Sequence, residues 1–157
     1  MNDAAAENGG GVSHTAQTNG DGPAASNGHG ASEVRVAIIG AGVGGLAAAI
    51  RLRRAGYRDL VVLERGHELA GTWRDNTYPG CACDVPSALY SFSFAPNPDW
   101  SRFYSPQPEI RRYVQRVAEQ EGIVDSVVFG ADVLAADWDE DAQRWQVLTT
   151  AGSYSAQ

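Results

Sequence analysis

Gly40, Gly42 and Gly45 stand in "GAGVGG" with the spacing G-x-G-x-x-G, and Glu64 follows 19 residues beyond the last of them. That combination can hold a dinucleotide. Gly40 permits a tight turn, Gly42 lets the backbone approach a pyrophosphate, and Gly45 lets a helix pack closely on a strand. Ala41, Val43 and Gly44 fill the same loop, at the start of a helix whose free N–H groups and dipole favour an anion. Glu64 ends the next apolar run, "VVLE". Its carboxylate would accept hydrogen bonds from ribose hydroxyls and repel the 2′-phosphate of NADP, so this first site should take FAD or NAD. Arg65 reads as a surface charge or a neighbour of the adenine edge. The competing account, a plain glycine turn and an exposed Glu beside Arg65, leaves the common register of strand, loop, helix, strand and acid unexplained.

Other chemistry is thinly represented. Cys81 and Cys83 are the only cysteines, too close for a good disulfide and half of what a structural zinc site needs. His14 and His29 lie near the start and His67 stands alone, so no metal is expected. Reduced thiols fit a cytoplasmic protein.

These residues need elements to position them. "VRVAIIG" is an apolar, β-branched run expected to form a parallel strand buried on both faces. "VGGLAAAIRLRRAG" places Leu46, Ala49, Ile50 and Arg53 at helical spacing, with Gly56 as the residue that ends the helix. "LVVLER" is the next strand, completing a βαβ unit. "SPQPEIRRYVQRVAEQEG" puts Ile110, Tyr113, Val114, Val117 and Ala118 on one helical stripe. The remainder reads as strands around a "DEDAQ" turn, with Trp145, Val147 and Thr149 alternating and a further strand entered near Gln157. The expected class is α/β: a Rossmann-like βαβ domain with a β-hairpin or meander.

With 157 residues, 43% hydrophobic and 20% charged, the chain has the length and composition of about one domain. The net charge of −7 disfavours nucleic acid and anionic membrane as partners. Residues 1–32 contain no aromatic residue and no Leu or Ile, so they are expected to form a disordered tail, with residues 33–157 as the folded part. The tail lacks the basic start and apolar run of a signal peptide. The apolar stretch from Val36 to Ile50 is broken by glycines and followed by arginines, so no membrane span is expected.

Residues 70–84, "AGTWRDNTYPGCACD", read as an irregular loop punctuated by Gly71, Pro79 and Gly80. The loop resembles the pattern [AG]-G-x-W-x-x-x-x-[FY]-P-[GM]-x-x-x-D of flavin-dependent Baeyer–Villiger monooxygenases, with Ala70, Gly71, Trp73, Tyr78, Pro79, Gly80 and Asp84 each in place. "VPSALYSFSF", "YSPQPEIRRYV" and "DWDEDAQRWQV" extend the resemblance from about Val34 onward. It implies FAD as a bound cofactor, NADPH as hydride donor, O2 as co-substrate and a small carbonyl compound as substrate. A flavin C4a-peroxide would insert oxygen beside the carbonyl, giving an ester or lactone. By the same resemblance Gly71, Thr72 and Trp73 would border the flavin and Tyr90 would contact FAD. Ala82 and Cys83 would lie where the nicotinamide arrives, and Asp84 would orient an arginine that this chain does not contain.

The family's second dinucleotide loop and its F-x-G-x-x-x-H-x-x-x-W fingerprint are missing from these residues, which suggests an N-terminal fragment, inactive alone. Three other readings remain open: a non-catalytic dinucleotide-binding module, an N- or S-oxygenating flavin monooxygenase, and an NAD-dependent dehydrogenase. The last gives no use for Trp73 or Asp84.

Overall fold

A computed structural model describes residues 30–157; the tail expected over 1–32 falls almost wholly outside them. Ser32 nevertheless belongs to the fold, as the first residue of β1 (Ser32–Val34). The run "VRVAIIG" is not one strand. It breaks at Arg35, because β1 pairs in parallel with β7 (Gly152–Ala156) while β2 (Val36–Ile39) pairs with β3 (Leu60–Glu64). Nor is β2 buried on both faces. It is the edge of a three-stranded parallel sheet, in which β3 lies between β2 and a third strand, β4 (Val127–Phe129), and Ile39 is 61% exposed. Only the middle strand β3 is buried throughout.

Helix α1 (Val43–Arg54) crosses from β2 to β3 and buries Leu46, Ala49 and Ile50, as their spacing requires. It ends at Gly56, whose φ of +96° is the left-handed conformation glycine tolerates best. A long connection then carries the one-turn helix α2 (Thr72–Asp75) and helix α3 (Gln107–Gln120) before β4 (Val127–Phe129) rejoins the parallel sheet. α3 buries Ile110, Tyr113, Val114, Val117 and Ala118. The helices and the connection cover one face of the parallel sheet, against Leu60 and Val62.

The meander covers the other face. β5 (Val133–Asp139) and β6 (Arg144–Thr149) form the expected hairpin, and β7 continues it antiparallel to β6. Val147 and Tyr154 meet Val61 and Leu63 in a second apolar cluster. Thus β3 alternates, Leu60 and Val62 toward the helices and Val61 and Leu63 toward the meander. Arg144 ties this second sheet together. Its guanidinium donates to the Ser155 hydroxyl at 2.8 Å, the Ser155 carbonyl at 2.9 Å and the Val34 carbonyl at 3.0 Å. No helix among the described residues is long and apolar enough to cross a membrane.

Candidate functional site

The glycine loop turns between β2 and α1. Gly40 adopts φ +92°, and its N–H donates to the Leu63 carbonyl at 2.8 Å. The third glycine is fixed by space: a Cβ on Gly45 would lie 1.8 Å from the Gly40 carbonyl oxygen. The first N–H used inside α1 is that of Leu46, donating to Gly42 at 3.0 Å. The N–H groups of Val43, Gly44 and Gly45 therefore have no chain partner among the described residues, and no acidic side chain stands in the first turn. An anion is the natural complement to such an end.

Glu64, 3% exposed, ends β3 beside this loop. Its Oε2 accepts the Ala41 N–H at 2.7 Å, and its Oε1 accepts the Gly66 N–H at 2.8 Å and Arg74 Nη1 at 2.7 Å. Burial disfavours the charge, but the Arg74 guanidinium and the two N–H groups outweigh it and hold the carboxyl below its ordinary value. The acid was legible from spacing alone. Arg74, which sequence reasoning passed over, is not exposed with Arg65 but turned inward, its side chain 14% exposed against 71% for Arg65.

The segment 70–84 is not wholly irregular, because Thr72–Asp75 close one turn of helix. Ala70 has φ +82° and Gly71 φ +46°, and the Ala70 N–H donates to the Ala41 carbonyl at 3.0 Å. Ala41 is thereby held on both sides, by Glu64 and by Ala70. Contact is close enough that a Cβ on Gly71 would come within 3.1 Å of Gly42 Cα. Gly40, Gly42, Glu64, Arg65, Gly71 and Thr72 line one cleft of about 430 Å³, with Arg74, Asp75, Asp132 and Val133. The last two were also missed. Their signal was the turn at Gly130, φ +69°, at the carboxyl end of β4, the end of a parallel sheet where ligands bind.

Trp73 is buried and donates its indole N–H to the Tyr90 hydroxyl at 3.0 Å. The backbone carbonyl of Trp73 accepts from the buried Gln107 amide, so α2 is pinned to the start of α3. Cys83 is buried, with its N–H donating to Ser105 at 2.9 Å; beside it Ala82 is exposed and bridges to Pro106. Asp84 is exposed and has no hydrogen bond to the chain among the described residues, neither to a backbone turn at Pro86 nor elsewhere. It lies near Tyr78, whose hydroxyl is pushed above its ordinary value first by Cys81 and in part by Asp84.

A glycine turn at the carboxyl edge of a parallel sheet, a carboxylate one strand over and a free helix N-terminus define a Rossmann-like dinucleotide-binding segment. A family model described as an NAD(P)-binding Rossmann-like domain matches residues 38–106. Among curated proteins, the chain is 55% identical over 123 residues to a Baeyer–Villiger monooxygenase of Streptomyces coelicolor, covering 78% of this chain and 24% of that protein. It is 42% identical over 124 residues to a Baeyer–Villiger monooxygenase of Pseudomonas aeruginosa, covering 79% and 24%. Among solved structures, an oxidized steroid monooxygenase bound to NADP superposes with a TM-score of 0.76 at 37% identity, over 80% of this chain and 25% of that one. The chain is homologous to Baeyer–Villiger monooxygenases and spans about a quarter of their length.

Proposed function

We propose that this chain is the FAD-binding part of an NADPH- and O2-dependent flavin monooxygenase of Baeyer–Villiger type, which converts a ketone to an ester or lactone. The observation that carries the reading is the seating of residues 70–75 on the glycine loop, through Gly71 against Gly42 and Ala70 against Ala41. A simple dinucleotide turn explains Gly40, Gly42, Gly45 and Glu64 but has no use for a second glycine-bearing loop laid upon it. The names of the relatives support the same reading.

The residues present fit the nucleotide half of FAD. The unpartnered N–H groups of Val43, Gly44 and Gly45 would face the pyrophosphate, and Glu64 the ribose, with Arg65 toward the adenine. Gly71, Thr72, Trp73 and Tyr90 would border the flavin, where the buried Trp73 excludes water. When bound, FAD supplies the electron transfer and oxygen activation that no side chain here supplies. Ala82, with Cys83 beneath it, would meet the nicotinamide end of NADPH. Asp84, exposed and without a hydrogen-bond partner among the described residues, would accept an arginine from the rest of the enzyme. Residues 33–157, with Ser32 added, would form one part of an FAD/NAD(P)-binding domain, and the free thiols of Cys81 and Cys83 support a cytoplasmic location.

Two measurements test this. Calorimetric titration of the chain with ADP should show saturable binding, weakened in Glu64→Ala by roughly 1.5–3 kcal/mol, as for hydrogen bonds to a charged group. Equal affinities would overturn the ribose assignment. The product of the gene's whole reading frame, given NADPH, O2 and a panel of ketones, should form products one oxygen heavier. Ketones returned unchanged throughout would overturn the Baeyer–Villiger assignment.

A further inference from the structure

A carboxylate offers about four lone-pair positions. Three of those on Glu64 are filled by the chain itself. Oε1 takes both the Gly66 N–H and Arg74 Nη1, and Oε2 takes the Ala41 N–H, so a single acceptor position remains, on Oε2. The arginine responsible is built in. Its Nε and Nη2 form a fork on the Asp75 carboxylate at 2.7 and 3.0 Å, and Nη1 also donates to the Glu68 carbonyl at 2.7 Å. Gly66 makes the room: a Cβ there would lie 2.1 Å from Arg74 Nη1. Both Glu64 and Arg74 line the cleft with the glycine loop.

We propose that Arg74 is a positioning and specificity residue of the nucleotide site, which by occupying Oε1 restricts Glu64 to one ribose hydroxyl and so makes the site distinguish the two. The inference rests on the nucleotide reading given above. An unrestrained glutamate would present both oxygens and take the 2′- and 3′-hydroxyls together. Here the second hydroxyl must do without this carboxylate.

The test is titration of the chain with ADP, 2′-deoxy-ADP and 3′-deoxy-ADP. One deoxy nucleotide should bind about tenfold more weakly than ADP, the size of one hydrogen bond to a charged acceptor, and the other within about twofold of it. Arg74→Met should erase the difference between the two; it removes the partner of a buried carboxylate and lowers the melting temperature, so a retained single cooperative melting transition well above the titration temperature is the check on folding. Arg74→Lys, which keeps a donor within reach of Oε1, should preserve it. Equal affinities of the two deoxy nucleotides for the unaltered chain, whether both weak or both strong, would overturn the inference while leaving ADP binding intact. No binding of ADP at all would overturn the nucleotide reading and the inference with it.

Discussion

The indole of Trp73 stands edge-on to the ring of Tyr90, centroids 5.5 Å apart and planes at 77°, with the indole N–H donating to the Tyr90 hydroxyl. Tyr90→Phe keeps the ring and leaves a largely buried donor without its acceptor. Stability should fall by about 1–2 kcal/mol, seen as a lower urea midpoint at an unchanged slope. An unshifted midpoint would show that the hydrogen bond contributes nothing.

Two neighbouring glycines should respond in opposite senses. Gly45→Ala forces a methyl against the Gly40 carbonyl and should destabilise by about 3 kcal/mol, the upper range for overpacking. Gly44→Ala meets no atom within 4 Å and lies in the first turn of α1, where alanine should stabilise by about 0.5–1 kcal/mol. Thermal melts of the two variants decide; a tolerated Gly45→Ala would mean that loop and helix are not in the contact described.

Acid should act through Glu64. A carboxyl whose folded value is lowered contributes stability that is fully present above its unfolded value, near 4.5, and lost as pH falls through the folded value. Melting temperature should therefore decline more steeply below about pH 4.5 for the parent than for Glu64→Gln. Asp75 and Glu109 are lowered as well, so the quantity to compare is the difference between the two curves. Parallel acid limbs would place the relevant titration elsewhere.

Asp84 should be dispensable to the fold, being exposed without a chain partner among the described residues. Asp84→Ala should change stability by less than about 0.5 kcal/mol; under the proposed function, the same substitution in the product of the whole reading frame should leave flavin bound, slow ester formation and divert reducing equivalents into hydrogen peroxide. An Asp84→Ala enzyme that converts ketone at the parental rate without extra peroxide would show that this carboxylate takes no part in oxygen transfer.

Elements with a local period were readable in the sequence. Leu46, Ala49 and Ile50 set α1, and Ile110 to Ala118 set α3, because each stripe is decided within three turns of chain. Glu64 was readable too, since a βαβ unit places its acid at a fixed distance from the glycines. Arg74 was not. Its inward course depends on α2 closing a turn after two residues of positive φ, and on the space at Gly66, neither of which leaves a periodic trace. The break at Arg35 was equally hidden, because what separates β1 from β2 is a partner strand at the far end of the described chain.

Arg144 and Val34, joined by one hydrogen bond, are 110 residues apart in the chain. At a synthesis rate of roughly 5–20 residues per second, several seconds pass between the emergence of β1 from the ribosome and that of the strands that receive it. β2, α1 and β3 can associate in that interval, since they are close in sequence. β1 cannot, and it waits beside the nascent dinucleotide turn as an unpaired ribbon until the meander arrives. The pairing of Ser32–Val34 with β7 is thus a late step of biogenesis.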